Sequence, residues 1–234
     1  MFDGTGVAKN ETEGFAWIEE AARQNNITAL LWLGKYYSTG ANKDLVKSFS
    51  WYKKAAEQGD KFAQVKLGSR YENGIGTAKN GERVIYWYTQ AHKNGHLEIS
   101  KKIADLYSKG IVIDKDEKLA SKWYLVSANS GHKDSMYELY KRYRKGLGIE
   151  KNNEIAIRWL KEAANRGYTP AQTTLANATL NGEGVTADYE RALDLYFKAL
   201  KKKSKTAVLD ISDMHYKGLL QVKDYNRAID VLHN

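Results

Sequence analysis

The sequence predicts an all-α chain, an α-solenoid: a right-handed superhelix of about six 36-residue helix-turn-helix repeats. Three observations carry that expectation. Trp17, Trp51, Trp87, Trp123 and Trp159 lie 34, 36, 36 and 36 residues apart, and two further steps land on Leu195 and Val231. Glycine keeps the same interval at Gly4, Gly40, Gly74, Gly110, Gly146, Gly182 and Gly218, and all but two of the 19 glycines fall at four repeating positions. A leucine-type site recurs at Leu33, Leu67, Ile103, Leu139, Leu175 and Ile211. Periods of this length belong to stacked supersecondary units, which bury a core only by stacking on their neighbours.

The elements follow from the repeat. The chain reads as one array over 1–234: a half repeat at 1–25, then repeats at 26–59, 60–95, 96–131, 132–167, 168–203 and 204–234. In the cleanest unit, Lys61 to Gly95, the first helix places Ala63, Leu67, Gly68 and Tyr71 on one face. Gly74 ends it as a left-handed cap, and Gly76 lets the backbone turn back. The second helix carries Trp87 and ends at Asn94–Gly95. The site after the leucine is small at Gly34, Gly68, Ala104, Ala176 and Ser212, so Tyr140 there is expected to push its helix contact apart. Lys203 stands where other repeats have Gly59, Gly95, Gly131 or Gly167, which predicts a strained left-handed residue costing roughly 1 kcal/mol. The tryptophans are expected to be buried spacers. Gly4–Thr5–Gly6–Val7 reads as a mid-repeat turn and Val231–Leu232–His233–Asn234 as the inside of a helix, so the reading expects a piece of a longer array.

Composition removes several functions. With no cysteine, thiol catalysis and cysteine-ligated zinc are excluded, and a single proline leaves cohesion to packing. No run of about 18 apolar residues predicts a membrane span. The net charge of +9 fits nucleic acid, a membrane surface or an acidic protein, but it is spread as mixed charge along helices, which reads first as solvated faces. Nucleic acid is accordingly disfavoured as a partner. His92 and His96 are separated by the helix-ending Gly95, and His96 and His132 share one inter-repeat position, so neither pair forms a metal site; His215 and His233 stand alone. The Gly-X-Gly pairs lack the strand and lysine of a phosphate loop. No nucleophile elbow or acidic pair stands out. No catalytic residue, metal or cofactor is expected from the sequence.

The segments SerTrpTyrLysLysAlaAlaGluGlnGlyAsp (50–60), PheAlaGlnValLysLeuGlySerArgTyr (62–71) and AsnGlyGluGlyVal (181–185) resemble the Sel1-like repeat, a relative of the tetratricopeptide repeat, over essentially the whole chain. The resemblance implies a non-catalytic scaffold or adaptor that binds a partner protein or an acidic or amphipathic peptide on a concave wall of first helices. By that resemblance the partner-binding residues are Trp32, Lys35, Phe62, Lys66, Lys101, Lys102, Asp105, Tyr137, Lys141, Arg144 and Asn177, a basic ladder with aromatic anchors. Leu31, Ser69, Thr173, Thr174, Leu209, Asp213 and Tyr216 are placed on the same wall. The alternatives are an immunity protein neutralising a toxin or effector, as some relatives are, and, less favoured, a cell-wall-related hydrolase or a nucleic-acid binder. Homo-oligomerisation and compartment stay open: cytoplasmic, or periplasmic or secreted if a signal sequence lies upstream.

Overall fold

The structure, a computed structural model, describes residues 10–233, with side chains through 231. The turn expected at Gly4–Val7 and the side chains of Leu232, His233 and Asn234 lie outside the described residues. All the described secondary structure is helical, and the chain divides into two compact units, Met1–Asp116 and Glu117–Asn234.

Unit 1 contains α1 (Glu11–Arg23), α2 (Ile27–Tyr36), α3 (Leu45–Glu57), α4 (Lys61–Asn73), α5 (Gly81–Lys93) and α6 (Ile99–Lys109). Unit 2 contains α7 (Glu117–Asn129), α8 (Lys133–Lys145), α9 (Asn153–Asn165), α10 (Thr169–Asn181), α11 (Tyr189–Leu200), α12 (Lys205–Tyr216) and α13 (Val222–His233). Within each unit successive helices pack on one another, as short connections require, except that α13 packs chiefly on α11. The even-numbered helices are the first helices of the repeats and the odd-numbered ones the second.

Short-range chemistry sets the helix ends. Asp44, Asp60, Asn80, Asn152 and Asp188 each cap a helix by accepting from the backbone N–H three residues on, at 2.7–3.0 Å. Each such cap contributes about 1 kcal/mol. Gly74, Gly110, Gly146 and Gly182 end first helices in the left-handed conformation. The second turn glycine is also required sterically: φ at Gly148 is +64°, and a Cβ there would collide with the Glu117 carbonyl at the start of α7. Lys203 adopts φ +57°, the conformation its glycine counterparts predict, so the strain expected of a side chain falls there.

The leucine-type site forms the core, from 0% exposed at Leu33, Leu67, Ile103 and Leu139 to 5% at Ile211. The tryptophans do not behave as expected. Trp87 is buried, but Trp51, Trp123 and Trp159 are half-buried and Trp17 is 60% exposed. The buried spacer is the next residue: Tyr52, Tyr88, Tyr124, Leu160 and Tyr196 are all under 8% exposed. In α9 the buried stripe runs through Ala156, Leu160, Ala163 and Ala164, and one residue is about 100° of helical rotation, so Trp159 falls at its rim.

The small site after the leucine exists to receive this spacer. A Cβ on Gly68 would lie 2.5 Å from the Tyr88 ring, and one on Gly34 would lie 3.0 Å from the Tyr52 ring. Tyr140 does not push its helices apart. In its repeat the spacer is Leu160 instead of tyrosine, so the ring has changed sides, and both residues are buried with α8 packed closely on α9.

Candidate functional site

In unit 1 the expected surface lies on α2, α4 and α6. The Trp32 ring stacks on Tyr36 at 5.0 Å and meets Phe15 of α1 edge-on at 6.0 Å, which leaves it half-buried. Phe62 is 58% exposed, with its ring edge-on to His96 at 5.7 Å. Lys35 and Lys66 are exposed and hold no ion pair among the described residues. The ladder ends there, because Lys101 is bonded to Asp105 at 2.8 Å and Lys102 to Glu72 at 2.6 Å. Glu72 also accepts a 2.7 Å bond from the Tyr88 hydroxyl, so Lys102 belongs to a network joining α4, α5 and α6. Burial first, and the Glu72 carboxylate second, push the Tyr88 hydroxyl well above the usual tyrosine range.

In unit 2 the expected ligand residues are engaged internally. Tyr137 stacks on Tyr140 at 5.6 Å and shares a 2.9 Å hydrogen bond with Thr174 of α10. Lys141 is paired with Glu138. Arg144 donates to the Tyr140 hydroxyl at 2.6 Å and reaches Glu183 at 3.5 Å. Asn177 accepts from Tyr196 at 2.7 Å and donates to Asp210 at 3.1 Å, tying α10 to α11 and α12. Thr173, placed on the wall by the sequence, is buried at 3% exposure. Leu209 and Tyr216 are exposed, at 69% and 90%. Among the described residues no group of three His, Asp or Glu side chains could hold a metal ion.

Two functional-looking side chains escaped the sequence reading. Arg70 and Arg142 are 7% and 3% exposed, although arginine in a charged helix reads as solvated. Both sit three residues after the core leucine, where other repeats place Leu106, Ala178 and Met214, and that register is the signal that could have found them. Arg70 donates to the Ser48 and Ser38 hydroxyls at 2.6 and 2.9 Å, with its guanidinium 4.9 Å from the Tyr52 ring centroid. Burial lowers its pKa. Arg142 is held by Glu117 at 2.9 Å and Ser121 at 3.1 Å, over the Tyr124 ring at 4.6 Å. Both are internal staples between helices.

The Sel1 repeat family model matches residues 1–26, 27–60, 61–96, 102–132, 134–168, 169–204 and 207–230. Among solved structures, a protective antigen present in uropathogenic Escherichia coli strains, displaying an SLR fold, is 29% identical with a TM-score of 0.78 over 98% of this chain and 50% of its own. A Sel1 repeat protein from Oxalobacter formigenes is 25% identical with a TM-score of 0.65, over 91% of this chain and 62% of its own. The chain thus spans half the length of the first and under two thirds of the second. No curated protein sequence matches it. With helices packed pairwise within each unit, glycine-ended first helices and repeats matched along nearly all of its length, the chain belongs to the Sel1 repeat family.

Proposed function

We propose that this chain is a non-catalytic scaffold that holds an acidic or amphipathic segment of a partner protein on the first-helix face of unit 1. Sel1 repeats mediate protein–protein interaction, and proteins built from them are typically non-catalytic scaffolds. One observation carries the finer reading: Lys35 and Lys66 are free cations on helices that also present the half-exposed Trp32 and the exposed Phe62. Aromatic side chains supply contact area at little conformational cost, and unpaired charges orient a carboxylate-bearing ligand without first breaking an internal bond. Lys101 and Lys102 of α6 belong to the proposed surface as its rim, where their internal partners reduce what they can offer a ligand.

Selection from a random peptide display library tests this reading. Enriched peptides should combine apolar residues with Asp or Glu. Capture should fall with K35E/K66E and with F62A while circular dichroism stays unchanged. A library that enriches nothing, or capture that survives both variants, would sink the assignment.

A further inference from the structure

Unit 2 carries a groove on the side of its second helices that the first-helix surface does not use. Its two arms meet at Leu125: one of about 680 Å³ between α7 and the turn after α8, the other of about 370 Å³ between α7 and α9. Lys118, Lys122 and Leu125 fall four and three residues apart on α7, so one helical face lines the groove. Arg158 and Trp159 line the other arm from α9, and Ile149 lines the first from the turn. The tryptophan beat therefore matters here in a way a fully buried spacer would not, because half-burial leaves part of Trp159 facing the groove.

The electrostatics are the reverse of those on unit 2's first-helix face. Lys118, Lys122 and Arg158 are exposed and hold neither an ion pair nor a side-chain hydrogen bond among the described residues. Of the acids that line the groove, Glu162 is already bonded to Arg166 at 2.6 Å, which leaves Glu150 as the unpaired counter-charge. The result is an apolar floor with a net positive rim.

We propose that this groove docks an amphipathic acidic helix of a partner protein. Its apolar side chains would lie on Leu125, Ile149 and Trp159, and its carboxylates would meet Lys118, Lys122 and Arg158. Charge complementarity selects that occupant. A second copy of this chain would bring its own net charge of +9 against a positive rim, and a phosphate backbone would gain nothing from the apolar floor. The 13-residue α7 is about 20 Å long, which matches three to four turns of a ligand helix laid along it. The proposal rests on the scaffold reading for its class of partner and assigns a separate surface.

Fluorescence anisotropy with a labelled Leu/Glu amphipathic helical peptide, a Leu/Lys counterpart and a dT oligonucleotide provides the test. The Leu/Glu peptide should bind and the other two should not. K118E/K122E/R158E should weaken binding at the groove roughly tenfold or more. Hydrogen exchange on the unsubstituted protein should show peptide-induced protection within 118–125 and 155–162, a readout independent of how any variant folds. Loss of binding in K35E/K66E but not in the triple variant would move the peptide to the first-helix face, overturning the groove and sparing the scaffold reading. Absence of Leu/Glu binding, or displacement of that peptide by the oligonucleotide, would overturn the groove outright.

Discussion

The first-helix faces of α2 and α4 in unit 1 and of α8 in unit 2 differ in the state of their cations, most directly at Lys35 and Lys141, which both stand two residues after the core leucine. In unit 1, Lys35 and Lys66 are unpaired, whereas in unit 2 Lys141 is held by Glu138 and Arg144 by Tyr140 and Glu183. The two buried arginines differ in the same sense. Arg70 is satisfied by serine hydroxyls, while Arg142 has a carboxylate. A repeat position thus fixes where a side chain stands, and neighbouring repeats fix whether its charge is available.

The arginines offer the largest effect by which to break this contrast. Arg142→Met removes the bond between a buried guanidinium and the Glu117 carboxylate and should cost about 2–3 kcal/mol in urea unfolding. Arg70→Met leaves Ser38 and Ser48 bonded to each other and to the Gly34 carbonyl, and should change stability by no more than about 1 kcal/mol. Equal losses would show that the carboxylate is not what distinguishes the sites.

Asn177 should come next. N177A removes the acceptor of the Tyr196 hydroxyl and the donor to Asp210, so a loss of about 2 kcal/mol is expected, against less than about 0.5 kcal/mol for K66A. Thermal unfolding of both variants checks this, and a neutral N177A would return Asn177 to the free surface.

A smaller, pH-dependent effect should run in parallel in both units. Burial raises the Tyr88 and Tyr196 hydroxyls above their unfolded value, so the fold favours their neutral forms. That contribution is complete below the unfolded tyrosine pKa, about 10, and is lost as pH climbs beyond it. Y88F and Y196F should each flatten the alkaline fall in stability measured by urea unfolding at increasing pH, and an unchanged slope would contradict the assignment.

The smallest stability change should sharpen the comparison most. E138Q/E183Q releases Lys141 and one bond of Arg144 at less than about 0.5 kcal/mol per pair. Acidic-peptide binding by isothermal titration should then increase in unit 2. If release of these cations adds no binding, internal pairing is not what distinguishes the two faces.

The helix pairs were legible because their signals act over three or four residues. Asp60 caps α4 three residues ahead, Gly74 ends it, and the core leucines recur on one helical face. Tryptophan was a sound marker of period and a poor marker of burial, since spacing reports recurrence but not which side of a helix is central. Asn26 acts as a helix cap and Asn177 as a bridge between helices.

Period, turns and helix ends follow from residues close in the chain, so the amino-acid order suffices to place them. The fate of each charge does not, because Lys102 meets Glu72 thirty residues away and Arg144 meets Glu183 thirty-nine away. Packing decided that Tyr140 and Leu160 exchange roles and that two arginines lie inside. It also left the free cations on α2 and α4 in unit 1 and along the groove of α7 and α9 in unit 2. The physical reason is one of range: backbone preferences are satisfied within a helical turn, while a cation is neutralised only by whatever carboxylate the stacking of repeats brings within about 4 Å.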